Sequence, residues 1–265
     1  MTGETDDILM AEIDTDQRQR RRSRGVYLLP NLFTTSALFA GFYSVIASYD
    51  GNYRAAGIAI IAAMILDGFD GRVARMTGTS TAFGAEYDSM ADMVSSGLAP
   101  AFLVYTWSLS SLSAADYGQL GWVAAFVYTA GCGLRLARFN VAVGTADKRF
   151  FQGLACPSAA AVNASFVWVM VDLGIAGPDV VWLALLVVLV TGLLMVSTFT
   201  YYSFKDLGES RRVPFAMATG VLLLFVVTAV DPGKMILIAS SLYALSGPGY
   251  AAFRWFRKRS RQTVR

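Results

Sequence analysis

Four aspartates with helical spacing are the residues of this sequence best suited to chemistry. Asp67, Asp70, Asp88 and Asp92 lie inside or at the ends of strongly apolar stretches. A carboxylate at membrane depth is costly, so an acidic side chain there usually serves binding or catalysis. We therefore expect the stretch from Asp67 to Asp92 to hold the functional site.

The spacing of these carboxylates predicts two facing pairs. Asp67 and Asp70 are three residues apart and share one helix face, and Asp88 and Asp92, four apart, share another. The connection between the two helices is short, so they are expected to be antiparallel neighbours. Carboxylates this close repel one another unless a cation lies between them. Oxygen ligands suit Mg²⁺, Mn²⁺ or Ca²⁺ better than zinc or copper. The alternative is that the carboxylates are solvated loop residues or helix caps.

Small and basic residues extend this pattern to a phosphate site. Gly71 and Gly84 would let a bulky substrate approach the helix backbone, while Arg72 and Arg75 supply cations for phosphate oxygens. Mg²⁺ in proteins is commonly held by one or two carboxylates together with substrate phosphates. The residue types therefore predict a site for a metal-bound diphosphate at a membrane surface.

The rest of the chain predicts an all-α, polytopic membrane helix bundle. Of its 265 residues, 55% are hydrophobic and 15% are charged, and the mean hydropathy is +0.49. In soluble proteins about a quarter of the residues are charged. The sequence contains no histidine, which excludes His-based acid–base chemistry and His-ligated zinc. We predict eight transmembrane helices, over residues 27–48, 54–75, 83–109, 120–142, 156–174, 180–202, 213–231 and 234–255.

Basic residues are concentrated on one side of the predicted membrane. Residues 1–25 form a polar N-terminal tail with an arginine cluster, residues 26–256 the membrane domain, and residues 257–265 a basic C-terminal tail. Most other Lys and Arg residues fall in connections on the same side, which is the positive-inside pattern. We therefore expect both termini to be cytoplasmic and the aspartates to lie at the cytoplasmic face of the inner membrane. Polar residues gathered at one face favour an enzyme over a transporter.

Written with its gaps, the stretch from Asp67 to Asp92 reads D-x2-D-G-x2-A-R-x8-G-x3-D-x3-D. At every fixed position it resembles the signature of the CDP-alcohol phosphatidyltransferase family. The resemblance implies an integral membrane enzyme that transfers a phosphatidyl-type group from a CDP-linked lipid, CDP-diacylglycerol, to an alcohol. It also implies release of CMP, a requirement for Mg²⁺ or Mn²⁺, and a homodimer.

The same resemblance implies roles for individual residues. Asp67, Asp70 and Asp88 match metal ligands of the family. Asp92 matches the residue that both ligates metal and acts as general base on the incoming hydroxyl. The expected contacts to CDP-diacylglycerol are Asn31, Gly71, Arg75, Thr81 and Gly84.

Other stretches bear on the acceptor alcohol. Serine carries a carboxylate, so its pocket needs a cation, and Arg135, Arg138 and Lys205 are the candidates for binding that carboxylate or the diphosphate. Each could instead be a snorkelling side chain or a topology signal. The stretches that resemble the branch of the family making phosphatidylserine, which implies L-serine as acceptor, are residues 28–48, 134–141, 150–161 and 196–207.

Several alternatives stay open at this point. Another enzyme of the same family would use glycerol 3-phosphate, inositol or choline as acceptor. A divalent-cation transporter would use the four carboxylates as its ion site, although no second, matching half follows in the sequence. Ala155-Cys156 departs from the pattern expected for the serine branch, and Cys132 and Cys156 are expected to be small packing residues. No nucleic-acid partner is expected.

Overall fold

The computed structural model describes residues 31–78, 81–114, 117–142, 150–202 and 230–262, and these are mostly helical. The helices are α1 (Asn31–Tyr49), α2 (Tyr53–Thr77), α3 (Ala82–Asp92), α4 (Ala99–Trp107), α5 (Gly118–Ala142), α6 (Cys156–Asp172), α7 (Val181–Val196) and α8 (Pro232–Gln262). A π-helical segment, Met93–Leu98, joins α3 to α4, and two 3₁₀ turns cover Leu109–Ala114 and Gly177–Val180. Two short strands, β1 (Phe150–Gln152) and β2 (Thr200–Tyr202), pair antiparallel.

Helix α6 is the centre of the bundle. Every residue from Ala159 to Val169 is buried, and the helix packs against α2, α4, α7 and α8. Small residues allow the close approach: a Cβ at Gly57 of α2 would lie 2.9 Å from the carbonyl oxygen of Ala164. Because lipid chains offer no hydrophobic drive for helix association, such close backbone packing is a main source of stability in membrane bundles. The packing of α2 against α6 therefore fixes the position of α2.

Within the described ranges, three helical stretches are long and apolar enough to cross a membrane: Asn31–Tyr49, Gly118–Val141 and Gly177–Val196. Helix α2 is as long, but Asp67, Asp70 and Arg72 interrupt its apolar character. The predicted span over 213–231 lies, except for its last two residues, outside the described part of the chain. The count of eight spans therefore stays a prediction. The apolar helices place the protein in a membrane as an integral component.

The described residues confirm the predicted helical class, with one added two-stranded ribbon, and correct two boundaries. Helix α7 ends at Val196, and residues 200–202, predicted as the end of a span, instead form β2 against β1. Threonine and aromatic residues at these positions favour strands, and the pairing satisfies backbone groups between helices. Helix α8 continues to Gln262, into the stretch predicted as a basic tail.

The contact between α5 and α7 leads to a stability prediction. A Cβ at Gly131 would lie 2.7 Å from the carbonyl oxygen of Gly192. We expect Gly131→Val to push the helices apart and to destabilise the fold by about 1–3 kcal/mol, as overpacking does. Thermal unfolding in detergent measures this. Gly249→Val is the control, since a Cβ there meets nothing within 4 Å; equal losses in both variants would point to helix propensity instead.

Candidate active site

Three of the four aspartates meet where the C-terminal half of α2 faces α3. One carboxylate oxygen from each of Asp67, Asp70 and Asp88 lies within 4.8 Å of the other two. Asp70 is only 5% exposed and sits inside α2, so the alternative of a solvated loop residue or cap is wrong for it. Asp92 lies one turn beyond Asp88 on α3 and outside this group of three. Carboxylates of two successive helices are thus brought together.

The chemistry of these side chains fits a hard divalent cation. All three offer oxygen, the ligand that Mg²⁺ and Mn²⁺ prefer. Asp88 Oδ1 is buried and makes no hydrogen bond with the residues that the structure describes. A buried, unpaired carboxylate oxygen is unfavourable unless a ligand satisfies it. The residues that could hold a cation are therefore Asp67, Asp70 and Asp88.

Thr34 of α1 supports this cluster, although no role was predicted for it from the sequence. Its hydroxyl donates a hydrogen bond to Asp70 Oδ2 at 2.7 Å, and the side chain is buried. A signal was present, because Thr34 follows Asn31 by three residues and shares its helix face. Hydrogen bonds of this kind orient carboxylates that ligate metals.

Removing the Thr34 hydroxyl should weaken metal binding. Thr34→Val keeps the shape of the side chain. We expect it to lower the affinity for Mn²⁺ by roughly 10-fold, because the loss of a hydrogen bond to a metal-ligating side chain typically has an effect of this size. Titration of free Mn²⁺ by electron paramagnetic resonance measures the affinity directly. Thr106→Val is the control, because the Thr106 hydroxyl, the group that this change removes, donates to carbonyls of its own helix, at Phe102 and Leu103. An unchanged affinity in Thr34→Val would contradict the supporting role.

Three of the residues predicted to contact CDP-diacylglycerol come together at the start of α3. Thr81 caps the helix, with its Oγ1 accepting a hydrogen bond from the Gly84 N–H at 3.0 Å. A Cβ at Gly84 would lie 3.1 Å from Thr81 Oγ1 and 3.6 Å from Asn31 Oδ1. Gly71 follows Asp70 directly on α2. The side chain of Arg75 lies outside the described part of the structure.

Helix α3 is tied to its neighbours by two polar contacts that the sequence did not reveal. The hydroxyls of Thr35 and Tyr87 are 2.9 Å apart, which joins α1 to α3. Asn140 of α5 donates from Nδ2 to Ser89 Oγ at 3.1 Å. Both contacts flank Asp88, so they hold the middle of α3 in place.

The candidate cations for the acceptor have different surroundings. Arg135 of α5 is close enough to Asp92 to attract its carboxylate, and its Nη1 lies 3.6 Å from the Sγ of Cys156. Its Nε is buried, and none of the described residues forms a hydrogen bond with it. Arg138 is exposed and donates to Gln152 Oε1 of β1. Lys205 lies outside the described residues.

The unusual Cys156 is a packing residue, as predicted. It is buried and free, as is Cys132, and it starts α6 beside Arg135. The departure from the expected pattern at Ala155-Cys156 therefore puts a thiol, a weak hydrogen-bonding group, next to a candidate acceptor residue.

Comparison with known proteins places this geometry in a family. A family model described as CDP-alcohol phosphatidyltransferase matches residues 27–190. The chain is 31% identical over 230 residues to a CDP-diacylglycerol–serine O-phosphatidyltransferase of Helicobacter pylori, covering 87% of this chain and 92% of that protein. A protein of the same name from Mycobacterium leprae is 34% identical over 188 residues, or 69% of this chain and 61% of the relative.

An archaeal relative carries a different name. An archaetidylserine synthase of Methanothermobacter thermautotrophicus is 32% identical over 185 residues, which is 69% of this chain and 72% of the relative. The family match covers α1 to α6 and most of α7, including the whole stretch from Asp67 to Asp92. The chain thus belongs to the CDP-alcohol phosphatidyltransferase family, whose members are transferases of phospholipid biosynthesis.

Proposed function

We propose that the protein transfers the phosphatidyl group of CDP-diacylglycerol to the hydroxyl of L-serine, giving phosphatidylserine and CMP. The observation that carries this proposal is the carboxylate cluster, in which oxygens of Asp67, Asp70 and Asp88 lie within 4.8 Å of one another. Such a cluster suits a diphosphate substrate held with a divalent cation. Serine as acceptor is supported by the names of the relatives from Helicobacter pylori and Mycobacterium leprae.

In this proposal, the start of α3 and the adjoining turn of α2 bind the cytidine diphosphate part of the lipid. Gly84 has no side chain to cover the helix backbone, and polar atoms of Thr81 and Asn31 lie close to it. Gly71, which also lacks a side chain, is a second position at which the substrate could approach a helix backbone. Arg75 supplies a charge for phosphate oxygens. These groups hold the diphosphate against the carboxylate cluster, which fixes the orientation of the reacting phosphorus.

Asp92 is the proposed general base. Its Oδ1 is buried and has no hydrogen-bond partner among the described residues, so it can accept a proton. As the serine oxygen bonds to the lipid-side phosphorus, its proton passes to Asp92 and the bond from that phosphorus to the bridging oxygen breaks. The electron pair of that bond leaves with CMP, and the product is a phosphodiester. A base is needed because an aliphatic hydroxyl is a poor nucleophile near neutral pH.

Arg135 is the proposed partner for the serine carboxylate. Its buried Nε has no hydrogen-bond partner in the described part of the chain, and its guanidinium lies near Asp92, so a serine bound there would have its hydroxyl close to the base. A guanidinium binds a carboxylate with two parallel hydrogen bonds. Arg138 and Lys205 are further candidates for the acceptor or the diphosphate.

Asp67, Asp70 and Asp88 would hold Mg²⁺ or Mn²⁺, and Asp92 is a fourth candidate ligand. A bound cation of this kind neutralises charge on the diphosphate and on the departing CMP. With both termini cytoplasmic, the cluster would face the cytoplasm, where L-serine and CMP are dissolved, and the lipid would enter from the inner membrane. A homodimer is part of the proposal by analogy with the family.

A direct assay tests this function. Purified protein in lipid vesicles is given CDP-diacylglycerol, Mn²⁺ or Mg²⁺ and isotopically labelled L-serine, and we expect equal amounts of CMP and labelled phosphatidylserine. Parallel reactions contain glycerol 3-phosphate, inositol or choline. Consumption of one of these with serine left untouched would show that the acceptor is wrong, and Mn²⁺ flux into sealed vesicles without CMP release would favour a transporter.

A further inference from the structure

The π-helical segment Met93–Leu98 lies between α3, whose residues are mostly exposed or half-buried, and α4, whose residues are mostly buried. Only Ala91 is buried on α3, whereas six of the nine residues of α4 are buried, among them Leu103 and Val104. The orientation of the end of α3 therefore depends on how the segment joins it to α4. Single π turns inside α-helices occur frequently at functional sites.

A proline explains why the helix departs from α geometry here. In an α-helix, the carbonyl of Ser96 would accept a hydrogen bond from the N–H of residue 100, but residue 100 is proline, which has no N–H. Within the segment, the Ala99 N–H donates instead to the Val94 carbonyl, five residues back, which is the π pattern. The buried Ser96 carbonyl consequently needs another donor.

Tyr128 supplies that donor. Its hydroxyl reaches from α5 to the Ser96 carbonyl at 3.0 Å, and the side chain is fully buried. The backbone of Tyr128 is itself held by α7, because a Cβ at Gly192 would lie 2.9 Å from the Tyr128 Cα. A second helix also touches the segment, since a Cβ at Gly41 of α1 would lie 2.7 Å from the Ser95 Cα. The segment is therefore in close contact with both α1 and α5.

Asp92 is the candidate functional residue nearest to the π-helical segment. It ends α3 and directly precedes Met93, the first residue of the segment. Asp88 is held independently, since the contacts of Tyr87 with Thr35 and of Ser89 with Asn140 flank it. A change in the segment should therefore move Asp92 more than Asp88.

We infer that Tyr128 is a positioning residue. Its hydroxyl holds the π-helical segment Met93–Leu98 in the arrangement that orients the Asp92 carboxylate toward the acceptor hydroxyl. The inference rests on the proposed function, in which Asp92 accepts the proton of the acceptor hydroxyl. Tyr128 itself is too far along α5 from Arg135, about two turns, to belong to the proposed serine site. Tyr128 therefore acts on Asp92 only through the backbone of the π-helical segment, which directly follows Asp92.

The test compares Tyr128→Phe with the loss of a similar tyrosine hydrogen bond on another helix. We expect kcat to fall roughly 10- to 100-fold, because a misplacement of about 1 Å costs a rate of that order. The KM for CDP-diacylglycerol and the affinity for Mn²⁺ should stay unchanged, since Asp67, Asp70 and Asp88 are held by other contacts. Tyr53→Phe is the control: Tyr53 also donates to a backbone carbonyl, that of Thr106 at the far end of α4, at 3.2 Å.

A second variant reaches the segment from α1. Gly41→Ala presses on the Ser95 backbone and should reproduce the selective loss of kcat. Gly57→Ala, whose Cβ would lie 2.9 Å from the Ala164 carbonyl oxygen of α6, should not. Suppose that the wild type is active. If Tyr128→Phe and Gly41→Ala then keep the wild-type kcat, or lose Mn²⁺ affinity together with kcat, this inference is wrong and the proposed function still stands. A wild type that releases no CMP with any acceptor overturns the proposed function and this inference together.

Discussion

Asp92→Asn should lose nearly all turnover while keeping the metal site. The carboxamide has the shape of the carboxylate but cannot accept the proton of the acceptor hydroxyl, and removal of a general base lowers rates by roughly 10²- to 10⁴-fold. Asp92 lies outside the group of three carboxylates within 4.8 Å of one another, so we expect the affinity for Mn²⁺ to change little. CMP release and Mn²⁺ titration on the same preparation measure the two properties separately.

A matched aspartate on another helix provides the control for this variant. Asp172 ends α6 and pairs with Arg54 at 2.8 Å in an exposed position. Asp172→Asn should leave turnover within about two-fold, because exposed ion pairs contribute little to stability. Full activity in Asp92→Asn would eliminate the base role. A parallel loss of Mn²⁺ affinity and turnover would instead make Asp92 a metal ligand, the other half of the role implied by the family resemblance.

The carboxylate cluster could be predicted from the sequence because helical spacing is local information. Intervals of three and four residues place side chains on one helix face whatever the surroundings, so the pairing of Asp67 with Asp70 followed from the numbering alone. The approach of Asp88 needed one further assumption, a short antiparallel connection. Membership of the family followed from the gaps between the same residues, and the match over residues 27–190 confirms it.

The supporting contacts could not be predicted, because they join residues far apart in the sequence. Thr34 bonds to Asp70 across 36 positions and Tyr128 to Ser96 across 32. No local pattern states which hydroxyl faces which acceptor. The ribbon of β1 and β2 was missed for a related reason, since Thr200–Tyr202 continues an apolar run and only its partner strand distinguishes it from a helix end.

Asp70→Asn should affect function and stability in opposite directions. Loss of one ligand charge is expected to lower the affinity for Mn²⁺ and to reduce turnover at a fixed Mn²⁺ concentration by at least roughly 10²-fold, since stabilisation by a metal ion contributes several kcal/mol. The amide oxygen can still accept the hydrogen bond from Thr34. Without metal, however, the variant should unfold at a higher temperature than the wild type, because a buried charge and its repulsion by two neighbouring carboxylates are gone.

The response to added metal separates these effects. A ligand that binds only the folded protein stabilises it by about 2.7 kcal/mol at 100 times its dissociation constant. Mn²⁺ should therefore raise the unfolding temperature of the wild type strongly and that of Asp70→Asn weakly, so that the order of stability reverses as Mn²⁺ is added. Asp172→Asn should respond as the wild type does, since its carboxylate pairs with Arg54 instead. If Mn²⁺ stabilises Asp70→Asn as much as the wild type, Asp70 does not hold the cation, and the site must lie elsewhere than between α2 and α3.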